Sequence, residues 1–427
     1  MPCRRFVHFV IFLVVIVALT ACAIPSSAGL VTPMVGHGTP TPTPTPTASP
    51  APISTLRVWL PPALSANENE VGYRLLVERI QAFAQTHDLT AEIRIKPLAG
   101  PAGLLTTLDA ARTVAPEAVP DVVLLPHALL EAAAIKGLAF PLPEEAFAIP
   151  LGDDDWLPYA QHLATVQSIA YGVPLGGDAL GMLYHPQAVP HPPATWHEWL
   201  QTSLPWLMPL GDPHAAVLLA LYRAAGGAWQ DDQGRPMLDE HTLERLFGLL
   251  KQAQDAGLLS ADLLAITSDD MLWARYQGEG GALIFTRFVH LLRSPDPRRM
   301  APIPAPEGEP PFLVADGLLW AMTTPEAHRQ TVAAALLANL SAEDFLARWT
   351  EAAGYIPPRR TALDRWENAE WRAVVAPILP AMQPPPPQQV VTVVGPVVQK
   401  AAADVLSGTQ SPASAARWAV STVENGG

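Results

Sequence analysis

From Leu56 onward, short apolar runs exchange with longer stretches whose apolar positions recur every three or four residues. "LRVWL" at 56–60 is a compact apolar run, the polar loop "SANENE" follows, and "GYRLLVERIQAFAQTH" then sets Leu76, Ile80 and Phe83 on one helical face. This predicts a strand, a loop and an amphipathic helix. "AEIRIKPL" alternates Ile93 and Ile95 with charged neighbours, and Leu104, Leu105 and Leu108 mark a second helix. "PDVVLLP" at 120–126 is a continuous apolar run, of the kind covered on both faces of a parallel sheet. The first third is therefore expected to be a βαβαβ array, whose ligands sit beyond the carboxyl ends of the strands. Asn67 and Glu68, in the "SANENE" loop, and His127 lie there.

"IAYGVPLGGDALGMLYHP" at 169–186 reads as a strand, a turn on Gly176, Gly177 and Asp178, and a second strand ending at Tyr184. Helical patterns follow. In "PHPPATWHEWL", Thr195 is placed to cap a helix carrying Trp196 and Trp199, and "DEHTLERLFGLLKQAQDAGLL" sets Leu243, Leu246, Phe247 and Leu250 at i, i+3, i+4, i+7. "GALIFTRF" (281–288), "RMAPIPAP" and "PFLVADGLLWAM" are strand-like. On this pattern the chain leaves one α/β unit near Gly177 and returns near Met300.

The N-terminus changes the picture. Arg4 and Arg5 precede an apolar stretch from Phe6 to Leu19, the layout of a secretory signal and short of the roughly 20 residues a spanning helix needs. Leu19-Thr20-Ala21-Cys22 resembles the bacterial lipobox, which makes residues 1–21 a signal peptide and Cys22 the lipid-bearing residue. Residues 39–52, "TPTPTPTPTASPAP", read as a polyproline-II-like part of a spacer over 22–54. With Cys3 and Cys22 the only cysteines, no disulfide framework or cysteine metal site is available. A formal charge of −14 argues against nucleic-acid binding, and no polybasic patch supplements the lipid. The remaining length suits two domains.

"PDVVLLP", "YGVPLGGDALGMLYHP", "PPATWHEW", "GALIF", "APIPAP" and "AAGYIPPR", in this order, together with "VLSGTQSPASAARWA", resemble the extracellular solute-binding proteins, family 1, of bacterial ABC importers, a group rich in carbohydrate binders. The resemblance implies an α/β, two-lobed periplasmic-binding-protein-like (type II) fold with a hinge and an interlobe cleft. It implies discontinuous lobes, 55–178 with 300–340 and 179–299 with 341–427, with crossings near 176–183, 296–303 and 340. A hinge at Gly176 and Gly177 would make Gly177→Pro block closure while sparing the fold.

A sugar offers ring faces for stacking and hydroxyls for hydrogen bonding, so its site needs aromatic surfaces with Asp, Asn and Arg nearby. The expected contacts are Asn67, Glu68, His127, Asp178, Asp212 and His214 of "PLGDPHAA", Arg287 and Phe288, Asp316 and Trp320, Tyr355 and Arg359. Each also has a structural reading: Asp178 as a turn residue, Trp320 as core, Tyr355 and Arg359 as turn groups. Arg287 departs from the small or aromatic residues frequent at this point of the family and favours an anionic or modified ligand.

His185, His191, His197 and Glu198 lie close in sequence, yet prolines 186, 190, 192 and 193 hold that segment extended, so no metal is expected. There is no G-x-S-x-G, H-E-x-x-H or G-x-x-x-x-G-K-[ST] motif, and Asp153, Asp154 and Asp155 read as a solvated charge run. The expectation is a monomeric, lipid-anchored, extracytoplasmic binding protein without cofactor or catalysis, which captures a sugar or related polyhydroxylated solute and delivers it to an ABC permease. A ligand-sensing lipoprotein of the same fold, and a secreted carbohydrate-active enzyme, are the alternatives.

Overall fold

The computed structural model describes residues 53–143, 150–276, 281–294 and 298–426. The expected signal, Cys22 and almost all of the spacer lie outside the described residues. The first third runs β1 (Thr55–Leu60), α1 (Glu70–Thr86), β2 (Thr90–Ile95), α2 (Leu104–Val114), β3 (Val122–Pro126) and α3 (His127–Ile135). This is the βαβαβ order the periodicities predict. α4 (Pro158–Ala164) and the small pair β4 (Thr165–Val166) and β5 (Ile169–Ala170) lead into β6 (Gly172–Tyr184). Then come α5 (Trp196–Gln201), β7 (Trp206–Leu207), α6 (Ala216–Ala224), α7 (Glu240–Asp255), α8 (Asp269–Tyr276), β8 (Leu283–Arg287), α9 (Phe288–Leu292), β9 (Arg299–Ala301) and β10 (Leu313–Met322). α10 (Ala327–Leu340), α11 (Glu343–Ala353), α12 (Arg360–Asp364), α13 (Ala369–Val375), β11 (Met382–Gln383), α14 (Gln388–Leu406) and α15 (Pro412–Glu424) complete the chain. Among the described residues no helix is long and apolar enough to cross a membrane.

One mixed sheet organises these elements in the order β2-β1-β3-β10-β6-β8-β7. β1 is parallel to β2 and β3, whereas β10 runs antiparallel to both β3 and β6. β3 reaches only the distal half of β10, Leu318–Met322, and β8 pairs only with Leu180–Leu183 of β6. Between these two blocks the β6–β10 ribbon continues alone through Asp178 opposite Asp316 and Gly177 opposite Gly317, joined on its free edge by a bridge from Gly177 to Ile356. Met182–Tyr184 of β6 pair with β9, so residues 299–301 stay with the second block. α10 and α11 pack on α1, and α12 on α11, whereas α14 and α15 pack on α7.

The turn expected at Gly176–Asp178 is instead the middle of a single strand of 13 residues. The reason is crowding. A Cβ on Gly176 would collide with Tyr355 and Trp349, and one on Gly177 with the ring and hydroxyl of Tyr159. Glycine is needed there for close approach of side chains to an extended backbone, not for chain reversal.

The cores follow the apolar faces. Leu56, Val58 and Leu60 of β1 meet Leu76 and Ile80 of α1 and Leu336, Leu337, Leu346 and Trp349 of the later helices, all fully buried. In the second block Trp199 stacks on Trp206 with ring centroids 3.6 Å apart, and Phe285 tilts against Trp199 at 5.0 Å. Thr195 caps α5 in a reciprocal capping box with Glu198, as its spacing predicts. Leu243, Leu246, Phe247 and Leu250 of α7 are all fully buried.

Candidate functional site

The β6–β10 ribbon builds the site. Opposed residues of an antiparallel pair share a face, so the register places the Asp178 and Asp316 carboxylates side by side. Like charges so placed repel each other and need a counter-charge. The β6–β8 register supplies it, because Arg287 lies opposite Leu180, two residues beyond Asp178 and therefore on the same face. Arg287 Nη1 donates to Asp316 Oδ2 and lies 3.9 Å from Asp178 Oδ2. Asp178 Oδ1 accepts from Ala179 N at 2.8 Å and from Val289 N, in the first turn of α9, at 2.9 Å. Asp316 Oδ1 accepts from Gly317 N at 2.8 Å.

Burial pushes the Asp178 carboxyl above its ordinary value; Arg287 and the Val289 N–H pull it back, and Asp316 adds to the rise. Asp316 holds the Arg287 guanidinium still more firmly protonated, against the desolvation that opposes charge. The side chain of Arg287 remains 43% exposed and that of Asp316 27%, while Asp178 retains 7%. The outer edge of the cluster thus faces solvent and its inner carboxylate does not.

Aromatic groups back the ribbon on both faces. Tyr159 lies beneath Gly177 and its hydroxyl donates to Pro357 O at 2.9 Å and Ile356 O at 3.2 Å, which ties the bridge segment to α4. Burial, then the Asp178 charge, raises this hydroxyl well above its ordinary value. Tyr355 stacks on Trp349 at 5.3 Å, and Arg293 lies 4.8 Å from the Tyr355 ring centroid. Arg293 Nε donates to Ala353 O at 3.1 Å, and Asn69 Nδ2 donates to the same oxygen at 2.9 Å. The start of α1 is thereby joined to the Tyr355 segment.

Next to Arg287, Asp269 Oδ1 accepts from the Thr286 hydroxyl, while its Oδ2 accepts from Arg287 N at 3.2 Å and lies 2.8 Å from His290 Nε2. Burial alone would raise Asp269, but His290, Arg287 and Thr286 hold it below its ordinary value. His290 stacks on Trp273 at 5.1 Å, with Asp270 3.5 Å away. Asp269 thus holds the imidazole at Nε2, while the Asp270 carboxylate stays almost wholly exposed.

Of the residues expected from sequence, Asp178, Arg287 and Asp316 are brought together, with Tyr355 behind them. Asn67 and Glu68 are exposed, and their neighbour Asn69 makes the structural contacts. His127 Nδ1 lies 2.9 Å from Leu163 O at the start of α3. Asp212 accepts from His214 N and Ala216 N, each at 3.0 Å, and so caps α6, while His214 remains exposed. Phe288 and Trp320 are fully buried in the core. Arg359 is 4% exposed; its Nε donates to Asp155 Oδ2 at 2.6 Å and its Nη1 to Ser341 O at 2.9 Å. Asp155 is accordingly not part of a solvated run, because Arg359 and Thr361 satisfy its carboxylate. Tyr159, Asp269, His290 and Arg293 were not legible as site residues. The one signal was the spacing of three between Arg287, His290 and Arg293 in an otherwise apolar "RFVHLLR".

The family model described as bacterial extracellular solute-binding protein matches residues 78–376, well over half of the chain. The chain belongs to the bacterial extracellular solute-binding proteins. Several solved structures share the fold of this solute-binding protein. The sugar-binding protein MalE from Xanthomonas citri aligns with a TM-score of 0.71 at 18% identity, covering 87% of this chain and 97% of the other. The cyclic α-maltosyl-1,6-maltose binding protein from Arthrobacter globiformis aligns at 0.68 and 16% identity, covering 88% and 99%. An ABC transporter solute-binding protein from Thermotoga lettingae, bound with α-D-tagatose, aligns at 0.67 and 17% identity, covering 87% and 99%. No curated protein sequence matches the chain at a significant level. At these identities the likeness establishes the two-lobed periplasmic-binding-protein fold of this solute-binding protein and its maltose-binding-protein-like architecture. Its family places it outside the cytoplasm.

Proposed function

We propose that this protein captures a sugar or related polyhydroxylated solute between its two lobes and delivers it to an ABC permease, tethered to the membrane by a lipid on Cys22. The observation that carries the reading is the Asp178–Arg287–Asp316 cluster, which sits with an exposed outer edge on the ribbon connecting the two sheet blocks. A two-stranded ribbon is the part of the sheet with fewest lateral hydrogen bonds, so relative motion of the blocks concentrates there. Charged donors and acceptors at that point sense both lobes at once. The sugars bound by solved relatives of the same fold favour a hydroxyl-rich ligand.

We draw the first lobe as residues 55–178 with 316–364 and the second as 179–315 with 365–426. The boundaries move from 300 and 340 because β9 pairs with the distal end of β6, and because α11 and α12 pack with α1 and its neighbours. A binding role without catalysis accords with the family.

The decisive experiment is a thermal-shift screen of a soluble form starting at Ile53 against mono-, di- and oligosaccharides, polyols and amino acids. A ligand at a hundredfold excess over its Kd stabilises the folded state by about 2.7 kcal/mol, an easily measured shift. A shift confined to saccharides supports the reading, and a shift confined to amino acids overturns it. The anchor is tested separately in a bacterial host that processes lipoproteins: the wild-type chain should fractionate with membranes and Cys22→Ser should not. Membrane retention of Cys22→Ser would refute lipid attachment at this residue.

A further inference from the structure

Arg287, taken alone, is the side chain expected to recruit a carboxylate or phosphate. Its surroundings argue otherwise. One guanidinium faces two carboxylates on the ribbon, Asp178 and Asp316, and a third, Asp269, accepts from its backbone N–H. Arg293, which follows the last turn of α9, is turned onto Ala353 O and the face of Tyr355. An anion approaching the exposed edge of Arg287 would therefore meet more negative than positive charge, and like charge juxtaposed in an interface disfavours a partner strongly.

The same edge suits a neutral diol. A guanidinium carries five N–H donors, and among the described residues no side chain or carbonyl engages Nε or Nη2 of Arg287. The adjacent Asp316 carboxylate is partly exposed and its two oxygens retain acceptor capacity beyond Arg287 and Gly317 N. Two vicinal hydroxyls can meet both, one accepting from Arg287 and the other donating to Asp316.

We infer that Asp316, with Asp178 beneath it, sets the charge selectivity of the cleft, converting Arg287 from an anion receptor into a hydrogen-bond donor for neutral hydroxyl groups. This rests on the solute-binding function proposed above and adds which saccharides are admitted. Both carboxylates are specificity-determining: they choose between neutral sugars and their acids.

The test compares neutral sugars with the matching uronic acids, glucose with glucuronate and galactose with galacturonate, by calorimetry and thermal shift at neutral pH and fixed salt. The wild-type protein should bind the neutral member about tenfold tighter or more. Asp316→Asn keeps the shape and removes one charge, so the neutral-to-acid ratio should fall about tenfold or reverse. A wild-type preference for the uronic acids overturns the inference while leaving saccharide binding intact, and this comparison needs no variant to fold. An unchanged ratio in folded Asp316→Asn overturns it as well. If neither a saccharide nor a polyol in the wider screen binds, the solute reading itself fails and takes this inference with it.

Discussion

Gly177→Pro should lower the unfolding free energy of the soluble domain by about 3 kcal/mol or more, read as a fall in the urea midpoint with little change in slope. Two losses combine. Gly177 N donates to Ile356 O at 2.6 Å, and proline has no N–H to offer, so this carbonyl loses its backbone donor and keeps only the longer bond from the Tyr159 hydroxyl at 3.2 Å. In addition, any side-chain carbon at 177 is driven into the ring and hydroxyl of Tyr159, which is fully enclosed and tied to Ile356 O and Pro357 O. Overpacking of this kind costs about 1–3 kcal/mol by itself. The expectation from sequence that proline here would block closure and spare the fold is therefore replaced by one of global destabilisation. Gly177→Ala separates the two terms: it keeps the N–H and should lose only the packing part. Combining Gly177→Ala with Tyr159→Leu should cost less than the sum of the two single losses, because the clash at 177 is with the Tyr159 ring and is absent once that ring is gone. A midpoint for Gly177→Pro within error of the parent would show that the ribbon does not pack as described.

Arg359→Leu should cost about 3–5 kcal/mol in stability while leaving ligand affinity per folded molecule unchanged. Arg359 is nearly inaccessible, and its guanidinium answers Asp155 and Ser341 O beside the Trp156 ring, 5.6 Å from its centroid. Removal leaves a carboxylate and a carbonyl in a poorly solvated place, which accounts for most of the penalty. The pH dependence has a definite sign. Burial alone would raise Asp155, but the Thr361 N–H, Arg359 and the Thr361 hydroxyl outweigh it and hold the carboxyl below its ordinary value of 3.8. Stability from a depressed carboxyl is fully present above the ordinary value and is lost as pH falls through the lower, folded value. Without Arg359 the depression weakens, so the difference between variant and parent should narrow as the pH is taken below about 4. Denaturation midpoints across that range, with calorimetry using whichever saccharide the screen identifies, check both halves. Loss of affinity in folded Arg359→Leu would return this residue to the binding surface.

The charge selectivity assigned to Asp316 bears on how sugars are told apart. A site that screens its arginine with two acids rejects acidic sugars by repulsion rather than by fit, and such rejection weakens as salt rises only for the part of the cluster that solvent reaches.

The local elements were legible because their causes are local. Apolar positions on one face of α1 and α7, the Thr195–Glu198 capping box, and the unbroken apolar run of β3 each state their conformation within a few residues, since helical and strand periodicities and caps depend on near neighbours. The family resemblance, carried by the order of several short motifs, was equally available to the sequence. Tertiary structure alone decided the rest. Whether Gly176–Gly177–Asp178 turns or runs straight depends on Tyr159, Trp349 and Tyr355, which reach the ribbon from remote parts of the chain. That Arg287 is screened rather than free depends on two strand registers, and that Arg359 pairs with Asp155 depends on a contact 204 residues away in sequence. A charged side chain takes its role from the counter-charge it meets, and that meeting is fixed by packing between segments, which periodicity along one segment does not encode.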